Sequence, residues 1–489
     1  MKSPSATPWF PQWGAWLAPP AARLARPVAA LRACTLSQLE ARFAGALPPD
    51  LLAKDPAERD RLYTRARTFW MFLLQCLNPG TACREIVRQF QALLTLAGGP
   101  SISESDGAYC QARPRLPDAV LDRALTASAQ AAQQAAPAPP ADFLQGRALK
   151  VVDATTAALP DTQANREAFP LAHASHDGLG FPLVRVLGLF CLASGAMLAM
   201  VTGNYHQAEL RLLLQRLDQL RPKDILIGDR AFGYFVLLHL LGGRQVDFIG
   251  RATRTVDGRR RTRRLGPGDW LVCWTRPRRA SALLSAAEWA LVPSCLPLRV
   301  VRGSLWRPGY RVRQMTLVTT LLDAELYPPQ QILEAYARRW RMELCFDDLK
   351  TTLQMEMLSC QSPAMIQKEL RLHLIGYNLV RWLMAQAART HACPLARISF
   401  KGSLDALRQF SQALSQARSQ RQRRELWAEL LRILAADLVP ERPGRREPRA
   451  VKRQKNKYPR LDGPRRKFRD RLKTNVRLSR ARRRKASLN

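Results

Sequence analysis

The chain has 489 residues, 47% of them hydrophobic, and sets 77 Lys and Arg against 39 Asp and Glu for a formal net charge of +38. That length accommodates two to four domains and a sizeable core, and an excess of this size points to a polyanionic partner, nucleic acid first and an anionic membrane surface second. Ten cysteines without a C-x-x-C pair argue against a zinc ribbon or a disulfide scaffold and for reduced, mostly buried thiols in a cytoplasm.

In chain order, residues 1–33 are rich in Pro, Ala and Trp and read as a loosely ordered leader. Lys2 is followed by no uninterrupted apolar core before Pro8, Pro11, Pro19 and Pro20, unlike a signal peptide. Residues 34–130 carry a helical pattern, with apolar positions at 3.6 spacing in RLYTRARTFWMFLLQCL and ACREIVRQFQALLTL. Ser103 followed by Asp106 marks a further helix start. Two short helices around a Gly-containing turn suit a reader of a DNA major groove, with Tyr109, Gln111, Arg113 and Arg115 as its candidate contacts. An ordinary helical bundle gives the same pattern.

The Ala/Pro stretch 131–141 is a linker. Beyond it, ALKVVDATT and DILIGDRAFG each place an aspartate, Asp153 and Asp229, after a short apolar run that reads as a buried strand. A carboxylate at the carboxyl end of a central strand of an open α/β sheet faces the ligand crevice. Between them VLGLFCLASGAMLAMVT, residues 186–202, is too short for a membrane span and is split by Ser194 and Gly195, so it reads as two buried strands beside that of Asp153. His173 and His176 form an isolated H-x-x-H, and His391 lies near Cys393; no ligand set completes either. From 251 to 321 the texture changes to short strands, turns and Arg clusters, with exposed hairpins predicted at V-D-G and G-P-G.

YARRWRMELCFDDLK follows, on a predicted helix. At about 100° per residue, with Glu343 at zero, Tyr336 falls near about +20°, Arg339 near about −40° and Lys350 near about −20°, all on one stripe. Such a stripe also suits a solvated ladder of i, i+4 pairs. Asp347 shares the face and is assigned to pairing with Lys350. Three acids from separate elements converging on one crevice would repel unless cations lay between them, and hard oxygen ligands suit Mg²⁺ or Mn²⁺. A second long helix, from Pro363 to about Arg389, holds an apolar stripe and His373, read as a core histidine. Residues 396–440 are amphipathic. The tail 441–489 has 21 Lys and Arg against 4 Asp and Glu, +17 of the +38, and reads as a solvated basic arm that grips phosphates without reading sequence.

Tyr336, Arg339, Glu343 and Lys350 match the Y-x2-R-x3-E-x6-K pattern at every position, and VVDATTAALPDT and GDRAFGYF stand in order before it. In these features the chain resembles the DDE transposases of bacterial insertion sequences, from about residue 60 to about 450. Periodicity alone supports only a mixed α/β fold. The resemblance implies a ribonuclease H-like, five-stranded mixed sheet with flanking helices over residues 142–250 and 322–395, interrupted by a β-rich insertion domain, 251–321, that helps hold transposon-end DNA. It also implies Asp153, Asp229 and Glu343 as catalytic metal ligands for two Mg²⁺ (or Mn²⁺) ions, and Tyr336, Arg339 and Lys350 as phosphate contacts. Double-stranded DNA, both element ends and target, would be the partner of a homodimer, with no membrane association and a cytoplasmic, nucleoid-associated location. Trp270, Trp274 and Trp289 read as core residues, and Trp306 is the candidate for stacking on an unpaired base. Two other readings remain at this level: a catalytically silent DNA-binding relative, and a metal-dependent nuclease without strand transfer.

Overall fold

A computed structural model describes residues 43, 45–53, 61–96, 99–171, 180–252, 261–305, 314–417, 419–440 and 470. The leader, the V-D-G turn, His173, His176, Trp306 and almost all of the basic tail lie outside the described residues.

The N-terminal helices form as their apolar spacing dictates. Helix α1 (Arg65–Leu77) starts where Thr64 accepts from the Arg67 amide, and it buries Phe69, Trp70, Phe72 and Leu73. Helix α2 (Cys83–Leu96) buries Ile86, Val87, Phe90 and Leu94 on one face. Helix α3 (Gly107–Ala112) is shorter than expected and starts later: Asp106, not Ser103, occupies its N-cap, and Arg113–Pro114–Arg115 close it as a 3₁₀ turn. Tyr109 and Ala112 of α3 join α2 in a small separate core with Tyr63 and Met71. Helix α4 (Asp118–Ala135) then packs along the long helix Pro363–Thr390 and takes in the first five residues of the expected linker, burying Ala131, Ala132 and Ala135.

A single mixed sheet follows, in the order β3-β2-β1-β4-β5-β9-β8-β7-β6. Strands β1 (Leu149–Ala158), β2 (Leu183–Cys191) and β3 (Met197–Asn204) form an antiparallel meander, as the split apolar run predicted. Helix α5 (Gln163–Ala168) lies between β1 and β2, and α6 (Glu209–Leu214) follows β3. Strand β4 (Ile225–Gly228) lies parallel to β1, helix α7 (Phe235–Gly242) crosses over, and β5 (Asp247–Arg251) lies parallel to β4.

The five strands β3-β2-β1-β4-β5 are continued by four more into one nine-stranded sheet. Strands β6 (Arg261–Gly266), β7 (Asp269–Thr275) and β8 (Cys295–Ser304), with helix α8 (Ala286–Leu291) before β8, reach β9 (Gln314–Thr319) by successive antiparallel pairing, and β9 pairs antiparallel with β5. Arg clusters and turns signalled a change of texture; the ladder between β5 and β9 is a long-range pairing that local pattern does not encode. Cys273 of β7 and Cys295 of β8 come together across the ladder, their Cα atoms 5.9 Å apart. Trp270 is buried and Trp274 packs edge-on against Phe235, both as core residues.

Alternation along the strands sorts the core into two faces. Val151, Ile225, Ile227, Ile249 and Leu317 belong to one apolar cluster; Val152, Leu226, Phe248 and Val318 belong to the other. Helices α9 (Pro329–Arg338), α10 (Arg341–Asp347), α11 (Pro363–Thr390), α12 (Phe400–Gln416) and α13 (Gln420–Ala436) contribute to the first. The expected apolar stripe of α11 is broader than a stripe, because helices α1, α4, α12 and α13 surround it. Its Tyr377 hydroxyl donates to the Gly195 carbonyl, Asn378 pairs with both backbone groups of Met197, and Arg381 donates to the Ser194 carbonyl. The β2–β3 turn is thereby pinned. Gly195 suits it twice, with a φ of 71° and no room for a Cβ beside the Arg381 guanidinium.

Arg299 on β8 is fully buried. It grips Asp269 with two hydrogen bonds, at 2.8 and 2.5 Å, and donates to the Asp323 and Tyr327 carbonyls. The outer strands are thus tied to the segment that leads into α9. No helix among the described residues is long and apolar enough to cross a membrane.

Candidate active site

Strand register brings the two aspartates together. The parallel ladder between β1 and β4 runs Leu149↔Ile225, Lys150↔Leu226, Val151↔Ile227. Asp153 and Asp229 each stand two residues past that last pair. Strand β1 continues alongside β2, with Asp153 opposite Gly188, so Asp153 sits within its strand rather than at its end. Strand β4 stops at Gly228, and Asp229 caps a 3₁₀ turn by accepting from the Ala231 amide at 2.8 Å. The two strands part there, the place where an open α/β sheet binds its ligands. Side-chain parity puts Asp153 on the face of Val151, the face that α9 and α10 cover.

The third carboxylate arrives through a guanidinium. Arg339 Nη1 lies 3.2 Å from Asp153 Oδ2, and its Nη2 lies 3.8 Å from Glu343 Oε1. Asp153 and Glu343, 190 positions apart, therefore share one cation. Burial pushes the Asp153 carboxyl above its ordinary range; the Ala154 amide and Arg339 pull it down, and the Asp229 charge pushes it up again. Burial likewise raises the Tyr336 phenol, with Arg339 and Arg251 opposing and Asp229 reinforcing. Tyr336 lies against the same guanidinium, its ring centroid 5.9 Å from the Arg339 carbon. The site thus gathers Asp153, Asp229, Glu343, Arg339 and Tyr336.

The helix beneath is not the uniform one that the 100° arithmetic assumed. Amides of Arg339, Trp340, Met342 and Glu343 each bond three residues back, so the turn between α9 and α10 is tightened, and Asp348–Thr352 form a π-helical turn. Lys350 lies in that wider turn, and no hydrogen bond or ion pair among the described residues joins it to the three acids. Asp347 accepts from the Thr351 hydroxyl, its i+4 neighbour, at 2.8 Å rather than pairing with Lys350.

A fourth acid was missed. Glu209 opens α6, and burial raises its carboxyl while Arg185 lowers it and the charges of Asp229 and Asp153 raise it. Its only sequence signal is a carboxylate in a helix's first turn, the commonest of places for one.

The proposed groove-reading residues are divided. Tyr109 is fully buried, its hydroxyl bonded to Gln75, so it is a core residue and not a DNA contact. Arg113 lies over the Phe72 and Tyr109 rings, its centre 4.9 and 5.5 Å from theirs, and is half-buried. Gln111 and Arg115 are exposed.

The donor set fits divalent metal ions. Asp153 and Glu343 share the Arg339 guanidinium and the Asp229 charge acts on Asp153, a set of hard oxygen donors of the kind divalent cations take.

Among known proteins, the family described as "Transposase DDE domain" matches residues 145–379. The chain is 26% identical over 426 residues to the transposase InsG for insertion sequence element IS4 of Escherichia coli (strain K12), covering 84% of this chain and 92% of that one. A piggyBac transposase synaptic complex with hairpin DNA aligns over 84% of this chain and 86% of its own, at 10% identity and a TM-score of 0.35.

Proposed function

Since the chain is a DDE transposase of the IS4 type, a metal-dependent enzyme of DNA cleavage and transfer, we propose that Asp153, Asp229 and Glu343 form its catalytic centre. The observation that carries this is the single guanidinium bridging Asp153 and Glu343 beside Asp229. When bound there, two Mg²⁺ (or Mn²⁺) ions supply charge neutralisation and Lewis acidity at the scissile phosphate. Strand order β3-β2-β1-β4-β5, with helices on both faces, supports a ribonuclease H-like catalytic domain, to which β6–β9 add the proposed DNA-holding insertion.

The reaction begins with hydrolysis of the phosphodiester at the element's end. The freed 3′ hydroxyl then attacks a target phosphodiester in line, and because one ester forms as another breaks, no ATP is needed. Tyr336 and Arg339 stand beside the acids, and Arg339 offers a planar fork to the phosphate next to the cut. Lys350 adds a point charge from the following turn. Exposed Arg263 and Arg264 on edge strand β6, Gln111 and Arg115 on the N-terminal unit, and the basic tail supply backbone contacts to both duplexes. A homodimer bridging two element ends, working in the cytoplasm at the nucleoid, fits this chemistry.

Glu343→Gln tests the assignment on duplexes carrying the element's terminal inverted repeats. The variant should bind ends as wild type does and neither nick nor join them. Equal cleavage by the variant refutes the assignment. Nicking by wild type without joining identifies a nuclease, and binding alone identifies a silent relative.

A further inference from the structure

A second cluster of chemistry-bearing side chains lies far along the chain from the DDE acids, in the N-terminal helices. Cys83 is the first residue of α2, Cys110 lies in α3, and Asp106 is the α3 N-cap. The two sulfurs and an Asp106 carboxylate oxygen all come within 4.8 Å of one another. Spacing explains part of this, since Asp106 and Cys110 stand at i and i+4, one above the other on a helical face. An aspartate at an N-cap ordinarily accepts from the first-turn amides, but Asp106 makes no such bond. Its carboxylate is turned toward the thiols instead.

Both sulfurs have a donor already aimed at them. Gln75 Nε2 reaches the Cys83 sulfur at 3.6 Å, and the Gln75 amide oxygen is fixed in turn by the Tyr109 hydroxyl at 3.1 Å. Arg113 reaches the Cys110 sulfur at 3.9 Å. Outer donors that fix ligand orientation and offset thiolate charge are what a metal-thiolate centre requires. Neither is needed by a pair of neutral thiols.

The independent observation comes from the cavity alongside. Cys83 and Cys110 line a cavity of 780 Å³ whose other wall is the 353–362 segment and α11. His373 lines the same cavity, is only 7% exposed, and its Nδ1 has no hydrogen-bond partner among the described residues. A buried ring nitrogen without a partner is costly, and a water or hydroxide in the cavity would satisfy it.

We propose that Cys83, Asp106 and Cys110 bind one thiophilic divalent cation of the zinc type, with the fourth position open to the cavity that His373 lines. Two thiolates and a carboxylate suit zinc and exclude Mg²⁺ and Ca²⁺, which take oxygen ligands. The site is therefore chemically distinct from the all-oxygen DDE centre. The small core of α2 and α3 is separate from the main one, and an ion joining the start of α2 to α3 staples a unit too small to be stable on its own core.

Metal content of the purified full-length chain tests this directly: one zinc per chain should survive dialysis, measured by mass spectrometry. Replacing it with Co²⁺ should give a thiolate-to-cobalt charge-transfer band at one equivalent. Asp153→Asn should retain that band, since the DDE ligands are all oxygen, whereas Cys83→Ser with Cys110→Ser should lose it. Asp106→Asn, which keeps side-chain volume, should weaken zinc at least about tenfold in chelator competition, on the scale of losing a ligand interaction. A protein without zinc and without the cobalt band, a band unchanged by the double substitution, or a Cys83–Cys110 disulfide in freshly isolated metal-free protein would each overturn the proposal.

Discussion

Arg339 performs two incompatible tasks, and its removal should separate them. Without metal its guanidinium holds Asp153 at 3.2 Å and Glu343 at 3.8 Å. At an effective dielectric of about 20 the gross attractions are about 5 and 4 kcal/mol. Desolvation offsets most of this, and Glu343, 44% exposed at its side chain, is further screened by water. A net of about 2 kcal/mol is reasonable for a charge-assisted, partly buried contact. A divalent ion must displace that contact before it takes the same oxygens. In Arg339→Ala the competition vanishes, so Mn²⁺ should bind the DNA-free chain about 30-fold more tightly, the equivalent of about 2 kcal/mol. Cleavage should fall at the same time, because the fork that grips the phosphate is gone. Paramagnetic-resonance or calorimetric titration with Mn²⁺ reads the affinity, with Asp153→Asn as the control that loses it. Unchanged or weaker Mn²⁺ binding in Arg339→Ala would show that the guanidinium supports the ion rather than excluding it, and the reasoning would fail.

The other outcomes follow from separate contacts. Glu209→Gln should lower cleavage about tenfold or less, ~1 kcal/mol of long-range charge, while end binding stays constant; loss as complete as in Glu343→Gln would make Glu209 a ligand. Asp269→Ala leaves fully buried Arg299 without its counter-charge and should destabilise the chain by about 3–5 kcal/mol in urea titration, whereas a cost under about 1 kcal/mol would mean that water replaces the carboxylate. Burial pushes the Asp348 carboxyl from 3.8 up to about 7, with Arg381 opposing and Asp347 reinforcing. A raised folded value means that the folded chain holds the proton longer, so this contribution is complete below about pH 4 and is lost as pH rises through 7. Between pH 5 and 8 the loss is about 2–3 kcal/mol at most. Asp348→Asn should flatten that part of the stability profile, and an unaltered slope would remove Asp348 as its source.

How far the site could be read in the sequence depends on the range of the interactions that build it. Asp153 and Asp229 were legible because each follows an apolar run, and the parallel ladder of β1 with β4 sets both two residues past the Val151–Ile227 pair. The stripe of Tyr336, Arg339 and Glu343 was legible because i, i+3 and i, i+4 neighbours meet even on a distorted helix. The distortion itself was not. Three-residue backbone bonds around Arg339 and a π turn at Asp348 accompany a contact to a strand 186 positions away, and helical periodicity carries no trace of it. Asp347 bonds its i+4 neighbour Thr351, a choice between i+3 and i+4 partners that periodicity does not make. Glu209 stayed hidden because one glutamate in a first helical turn looks like every other.

The N-terminal unit shows the same limit from the opposite side. Tyr109 and Arg113 were chosen because aromatic and basic residues beside a short turn suit a DNA groove, yet Tyr109 fills the core and Arg113 lies flat on Phe72 and Tyr109. A six-residue helix with Pro114 just past its end buries one face, and which face is decided by α1 and α2 rather than by its own composition. With that face turned inward, Gln111 and Arg115 remain outside. If this unit contacts DNA, replacing those two should weaken end binding, whereas Tyr109→Phe should act through stability alone, removing one hydrogen bond to Gln75 at about 1 kcal/mol. Gel-shift affinity measured beside urea titration separates the two. An end-binding loss in Tyr109→Phe at unchanged stability would return the phenol to the surface and overturn this arrangement of α3.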